Sequence, residues 1–207
     1  TSKQESQTSK PQSATSTSGN SSSGTTLDKG EQMAKEIVNS IIKSGMSEFE
    51  KAITINDWLT TNVDYDYSYT YHTVEQTLKY KKCVCEGYAR TFYTMAKMAG
   101  LDVNYISGQA NNGSGYQGHA WNQVKIDGVW YNTDPTWNDN GNNSIDYDYF
   151  LISDATLSKN HKWAKDYANT CSVNYDIKKI YEYGIASGAH GDAIITTSES
   201  DALNKID

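Results

Sequence analysis

Apolar residues recur at helical spacing in the first half of the chain and alternate, strand-like, in the second. Met33, Ile37, Val38, Ile41 and Ile42 predict an amphipathic helix that Gly45 ends. Ser47 with Glu50 forms a capping-box pattern ahead of a second helix carrying Phe49, Ile53, Trp58 and Leu59, which Asn62 can close. Thr73 with Gln76 repeats that logic before a short helix holding Val74 and Leu78. A fourth helix is predicted from Ala89, Phe92, Met95, Ala96 and Ala99, with Gly100 as its stop and Cys85 at its start. Beyond it, Val103-Asn104-Tyr105-Ile106 and Phe150-Leu151-Ile152 have strand character, and His119 to Ile126 alternates into Asp127-Gly128, a two-residue turn signal, with Val129 to Thr133 returning. Helices first and strands later predict an α+β domain, the Cys85 helix packed on an antiparallel sheet.

The hairpin fixes a register. If Asp127-Gly128 is the loop, Ile126 pairs with Val129, Trp121 falls opposite Asp134, and His119 is one diagonal step from Asp134 on the same face. A His119–Asp134 hydrogen bond is then within side-chain reach, and Pro135 suits the end of the return strand. A cysteine at a helix start meets unpaired N–H groups and the positive end of the macrodipole, which favour thiolate. Cys85, His119 and Asp134 thus read as a nucleophile, its base and the base's orienter.

The motifs Val-Cys-Glu-Gly-Tyr-Ala at 84–89, His-Ala-Trp-Asn at 119–122 and Asp-Pro-Thr-Trp at 134–137 occur in that order. In them the chain resembles the transglutaminase-like superfamily of cysteine enzymes, its bacterial secreted branch in particular. The likeness extends to Asn62-Val63-Asp64-Tyr65-Asp66 upstream and Tyr149-Phe150-Leu151-Ile152-Ser153 downstream. It implies a papain-like layout with Cys85 as nucleophile, His119 as base and Asp134 as orienter. Cys83 stands where the family more often has a small residue, while Glu86-Gly87-Tyr88-Ala89 aligns Cys85 with the nucleophile.

Composition narrows the setting. A net charge of −7 without a basic run gives nucleic acid no electrostatic footing, and the apolar runs are too short to span a membrane. Of residues 1 to 26, fifteen are Ser or Thr, so residues 1–27 are expected as a disordered linker, of the kind that tethers a secreted domain. Residues 28–186 are expected as the domain, and 187–207 as a tail that is either one strand, around Ile194-Ile195, or disordered. The chain opens on Thr1, consistent with a removed signal segment and an extracellular or cell-surface location. A monomer is expected, acting on a protein or peptide, with cell-wall or surface protein as one class of substrate.

With Cys85 set aside, Cys83 and Cys171 either pair or remain free thiols. No metal and no cofactor is predicted: the polar stretch Asn138 to Asp148 lacks the spacing of an EF-hand loop and reads as a solvated turn. Gly108 to Gly118, rich in Gly, Asn and Ser, is expected as a mobile loop beside His119. Sixteen tyrosines include an alternating run, Tyr65, Tyr67, Tyr69 and Tyr71, expected as a strand or edge with one aromatic face. It serves either as an acyl-substrate groove or as ordinary packing. Tyr65, Tyr67, Trp121 and Trp137 are the candidate oxyanion-hole and substrate residues, the two tryptophans also as walls that shield the site from water.

Overall fold

The computed structural model describes residues 26–141, 144–187 and 194–195. The Ser/Thr-rich stretch and most of the C-terminal tail therefore lie outside the described residues.

Helix α1 (Lys29–Ile41) starts at an Asp28–Glu31 capping box, and α2 (Glu48–Asn62) at the Ser47–Glu50 box, each pair satisfying two amides that a helix start leaves unpaired. Strand β1 (Asp64–Tyr65) follows, then α3 (Val74–Tyr80), capped reciprocally by Thr73 and Gln76. Strand β2 (Lys82–Cys83) pairs in parallel with β1 and leads directly into α4 (Cys85–Met98).

Strands β3 (Val103–Asn111), β4 (Tyr116–Ile126) and β5 (Val129–Thr133) form an antiparallel meander. Then come α5 (Pro135–Asn138), β6 (Ser144–Ile145), α6 (Asp154–Leu157), β7 (His161–Lys162), α7 (Ile177–Ser187) and β8 (Ile194–Ile195). The main sheet runs β5-β4-β3-β7, and β8 pairs in parallel with β6. Helix α4 lies against β3 and β4, pinned there by Asn122, whose Nδ2 donates to Ala89 O at 3.0 Å. Its inner face, with Tyr88, Phe92, Met95 and Ala96, joins α1, α2 and the sheet in one apolar cluster that also takes in Ile53, Leu59, Val124 and Phe150. The result is the α+β arrangement that the hydrophobic pattern predicts.

The β4–β5 turn is as expected: Ile126 pairs with Val129, and Asp127 and Gly128 both have positive φ, at 49° and 85°, as the tight turn between twisted strands requires.

Three segments depart from expectation. Gly108–Gly118 is mostly strand: Gly108 pairs with His119 and Asn111 with Tyr116, so only residues 112–115 form the turn. At Gly108 the small residue reflects crowding, because a Cβ there would stand 2.2 Å from Lys162 O and 2.7 Å from the Trp121 ring. Phe150-Leu151-Ile152 is not a strand; Leu151 turns back with φ 55°, and Ile152 makes a single bridge to Asn132. Phe150 and Leu151 are both fully buried, so the run is apolar because it fills the core. The tyrosine run is strand only at Tyr65, after which Asp66 folds the chain over, accepting hydrogen bonds from Ser68 N at 3.0 Å, Thr70 N at 2.7 Å and Tyr71 N at 3.1 Å.

One buried carboxyl has a consequence for stability. Asp57 has no exposure, and burial pushes its carboxyl up to about 7 although Tyr147 Oη and Asn56 Nδ2 donate to it at 2.9 and 3.2 Å. A folded-state value above the unfolded one means the native state holds the extra proton. The contribution is complete below about pH 4 and is lost as pH rises through 7. Between pH 6 and 8 it should cost about 1 kcal/mol, and Asp57→Asn, which cannot ionise, should abolish that part of the decline. Thermal unfolding of both proteins across this range checks it; parallel declines would count against the assignment.

Candidate active site

Cys85 is the first residue of α4, after Val84 at the cap position, and Val84 offers no side chain to the helix's leading amides. The Cys85 N–H therefore belongs to the turn whose amides lack intrahelical partners. Cys85 is partly exposed, whereas Cys83 and Cys171 are buried; all three thiols are free. Burial pushes the Cys83 and Cys171 thiols each up to about 12, so neither is thiolate near neutral pH. Cys83 packs under α4, where a Cβ on Gly87 would come within 2.4 Å of its own Cβ.

His119, on β4, and Asp134, just past β5, meet as the register predicts, with Nε2 2.6 Å from Oδ2. Cys85 is within hydrogen-bonding reach of the same imidazole. Nε2 being committed to Asp134, Nδ1 is the nitrogen left for the thiol. Asp134 is fully buried, and its other oxygen, Oδ1, accepts from Thr136 N at 3.0 Å and Trp137 N at 3.4 Å. Proline at 135 begins this short helix and gives up an amide that would otherwise want a partner.

Burial opposes charge on His119, but the Asp134 charge and hydrogen bond, helped by Cys85, outweigh it and hold the imidazolium well above the usual histidine range. Burial likewise opposes the Asp134 carboxylate, and His119 and His161 together hold it well below the usual range. The pair favours Asp134 ionised and His119 protonated, the partner a thiolate needs.

His161, on β7, is the residue that the sequence reading passed over. It is 1% exposed, and its Nε2 lies 3.2 Å from the same Asp134 Oδ2. The signal that could have found it is a repeat: His161-Lys162-Trp163 has the His-x-Trp spacing of His119-Ala120-Trp121, a spacing that on a strand puts both rings on one face, although β7 itself ends at Lys162. Among the described residues, His119, Asp134 and His161 form the one set of metal-ligand side-chain atoms close together, all within 4.8 Å. Their N–H groups point at the shared carboxylate oxygen, so hydrogen bonds occupy the space that a cation would need.

A cavity of about 300 Å³ opens over Cys85 and His119, lined by Tyr65, Tyr67, Tyr69, Gln117, Trp137 and Asp139 among others. Tyr65 and Tyr67 meet edge to face at 5.1 Å and Tyr65 and Tyr69 at 6.4 Å, so the Asp66 turn gathers the rings that a strand would have spread along its length. Trp137 lines the cavity and also packs 5.7 Å from the His119 ring. Trp121 does neither job of a substrate contact: it is fully buried behind His119 at 6.1 Å, a wall of the site.

Residues 35–135 match the model of the transglutaminase-like superfamily. That stretch is similar to the transglutaminase-like superfamily. Over 117 residues the chain is 29% identical to the kyphoscoliosis peptidase of Mus musculus and 28% identical to that of Homo sapiens, in each case across 49% of this chain and 18% of the relative. The chain thus spans under a fifth of the length of those relatives. Among solved structures, a candidate cysteine protease from Cytophaga hutchinsonii aligns with 20% identity and a TM-score of 0.46, covering 51% of this chain and 37% of that one. The matched segment carries Cys85, His119 and Asp134, and ends before His161.

Proposed function

We propose that the domain performs cysteine-dependent acyl transfer on protein or peptide amides through a Cys85 thioester, with water as the second nucleophile. The observation that carries the reading is the 2.6 Å His119–Asp134 bond, with Cys85 at the helix start beside the same ring. The Cys85 thiolate attacks the amide carbonyl, and the His119 imidazolium gives its proton to the leaving amine. The Cys85 N–H, unpaired in the first turn, faces the developing oxyanion, with Tyr65 and Tyr67 beside it. Water then attacks the thioester carbonyl, His119 taking its proton.

Hydrolysis is favoured over transamidation because the groove is wet. Tyr67 and Tyr69 are 82% and 66% exposed, so among the described residues this side of the groove is open to water that could reach a thioester. Transamidation is the second reading: Asp139 and the tyrosine ring faces in the same cavity would attract an ammonium-bearing acceptor. A third reading is a surface binding or assembly module that keeps the fold without the reaction. The Ser/Thr-rich composition of residues 1–27 supports an extracellular or surface-attached setting, and we take the protein to act there as a monomer.

Glutamine-rich casein incubated with the protein and a labelled primary amine separates the three. Ammonia or new amino termini without amine incorporation is the expected result. Incorporated label would establish transamidation, and no product at all, with Cys85 alkylated no faster by iodoacetamide than Cys83, would leave only the binding module.

A further inference from the structure

The chain of contacts does not stop at Asp134. His161 Nδ1 lies 2.6 Å from Asn160 Oδ1, and Asn160 Nδ2 donates to Tyr149 Oη at 2.6 Å. A continuous path runs from Cys85 through His119, Asp134, His161 and Asn160 to Tyr149. Because Asp134 is ionised and can only accept, the His161 nitrogen at 3.2 Å must carry its proton toward Oδ2, whichever way the Asn160 amide is turned.

We propose that His161 is a positioning residue, holding the Asp134 carboxylate in the rotation that aims His119 at Cys85; this rests on the acyl-transfer reading of Cys85. The need for it follows from the reaction. His119 gives up and regains a proton in each cycle, so its hold on Oδ2 weakens at some steps. A buried carboxylate facing a neutral rather than a charged donor is freer to turn about Cβ–Cγ or to take up a proton. With His161 also donating, Oδ2 keeps a second donor when His119 is neutral and its own bond is weaker, so the ionised state and the angle both persist.

The fold is arranged for that second donor. His161 pairs with Ala110 across β3, two residues along from Gly108, the partner of His119, so the two histidines approach Asp134 from strands on either side of β3. Glycine at 108 lets β7 and the Trp121 ring close in, since any Cβ there would meet both. The His161 ring is then fixed by Trp137 at 4.6 Å, Trp121 at 5.1 Å and Tyr149 at 5.8 Å. A histidine needed only to fill space would not require its nitrogens paired at both ends.

The test is the rate of Cys85 alkylation by iodoacetamide from pH 4 to 10, read by mass spectrometry of the Cys85 peptide, with thermal unfolding recorded for each protein. His161→Phe keeps the bulk and removes the donor; His161→Gln can place an N–H near the Nε2 position. His161→Phe should slow alkylation at pH 6 by roughly 10–100-fold, the size of loss that removing an outer hydrogen-bond partner causes at metal-bound histidines, and move the acid limb to higher pH. His161→Gln should recover most of the rate. Asn160→Ala, which leaves His161 in place but frees its ring, should show the same shift in smaller degree, and it carries the test should His161→Phe not fold. A folded His161→Phe with the wild-type profile, or a His161→Gln as slow as the Phe variant, would overturn the role while leaving the reaction standing. Wild-type Cys85 reacting no faster than Cys83 would overturn both.

Discussion

Cys85→Ala should eliminate turnover while leaving the protein folded, with its unfolding temperature within a few degrees of wild type. The two halves of that expectation have separate causes. Chemically, the alternatives are poor: the Cys83 and Cys171 thiols are pushed up to about 12 and buried, so neither supplies thiolate to an amide. Structurally, Cys85 is partly exposed at a helix start whose cap uses no side-chain bond, so losing one sulfur costs at most about 1 kcal/mol. Cys83→Ala should behave in the opposite way. Cys83 has no exposure and fills the space beneath Gly87 and Thr77, so its truncation opens a small void and lowers stability while turnover persists. Measured side by side, the two variants separate reaction from packing. Turnover retained in Cys85→Ala and lost in a folded Cys83→Ala would transfer the nucleophile to Cys83.

The parts of this site that were legible in the sequence are those governed by local rules. A capping pair, a helix period and a two-residue turn each depend on residues a few positions apart, which is why α1 to α4 and the β4–β5 register could be read, and with them the His119–Asp134 pairing. What failed depended on distant partners. Gly108–Gly118 has the composition of a loop, yet a strand from residues 161–162 and the ring of Trp121 close on Gly108 and hold it in the sheet. Phe150 to Ile152 has the composition of a strand, but its apolar side chains all serve the core at a bend. His161 comes from a two-residue strand 27 positions beyond Asp134, too short for any period to show. The tyrosine run illustrates a mixed case: the rings do share one side of the site, gathered by Asp66 through a turn that alternation cannot signal.

Asp134→Asn should retain the fold and lower the reaction rate by about 10⁴, the loss seen when the orienting aspartate of a serine triad is replaced in this way. The replacement still has one oxygen for the Thr136 and Trp137 amides that Oδ1 now serves. Its Nδ2 then falls where Oδ2 stood, facing two histidine nitrogens at 2.6 and 3.2 Å. An N–H cannot accept, so His119 must turn a lone pair to it and carry its proton on Nδ1, the nitrogen nearest Cys85. In that tautomer the ring cannot take the thiol proton, and it has lost the carboxylate that stabilised its charged form. The same pair should leave a signature in stability. His119, raised in the folded state, contributes fully below the ordinary histidine value and loses its contribution as pH rises past it; Asp134, lowered, contributes fully above the ordinary carboxylate value and loses its contribution as pH falls. Both are intact from about pH 4 to 6.5, so the wild type should exceed Asp134→Asn in unfolding temperature by most in that window and by less on either side. Rate and stability profiles taken together test the assignment: a rate loss under tenfold, or a stability gap that is flat with pH, would show that Asp134 neither orients His119 nor shares its charge.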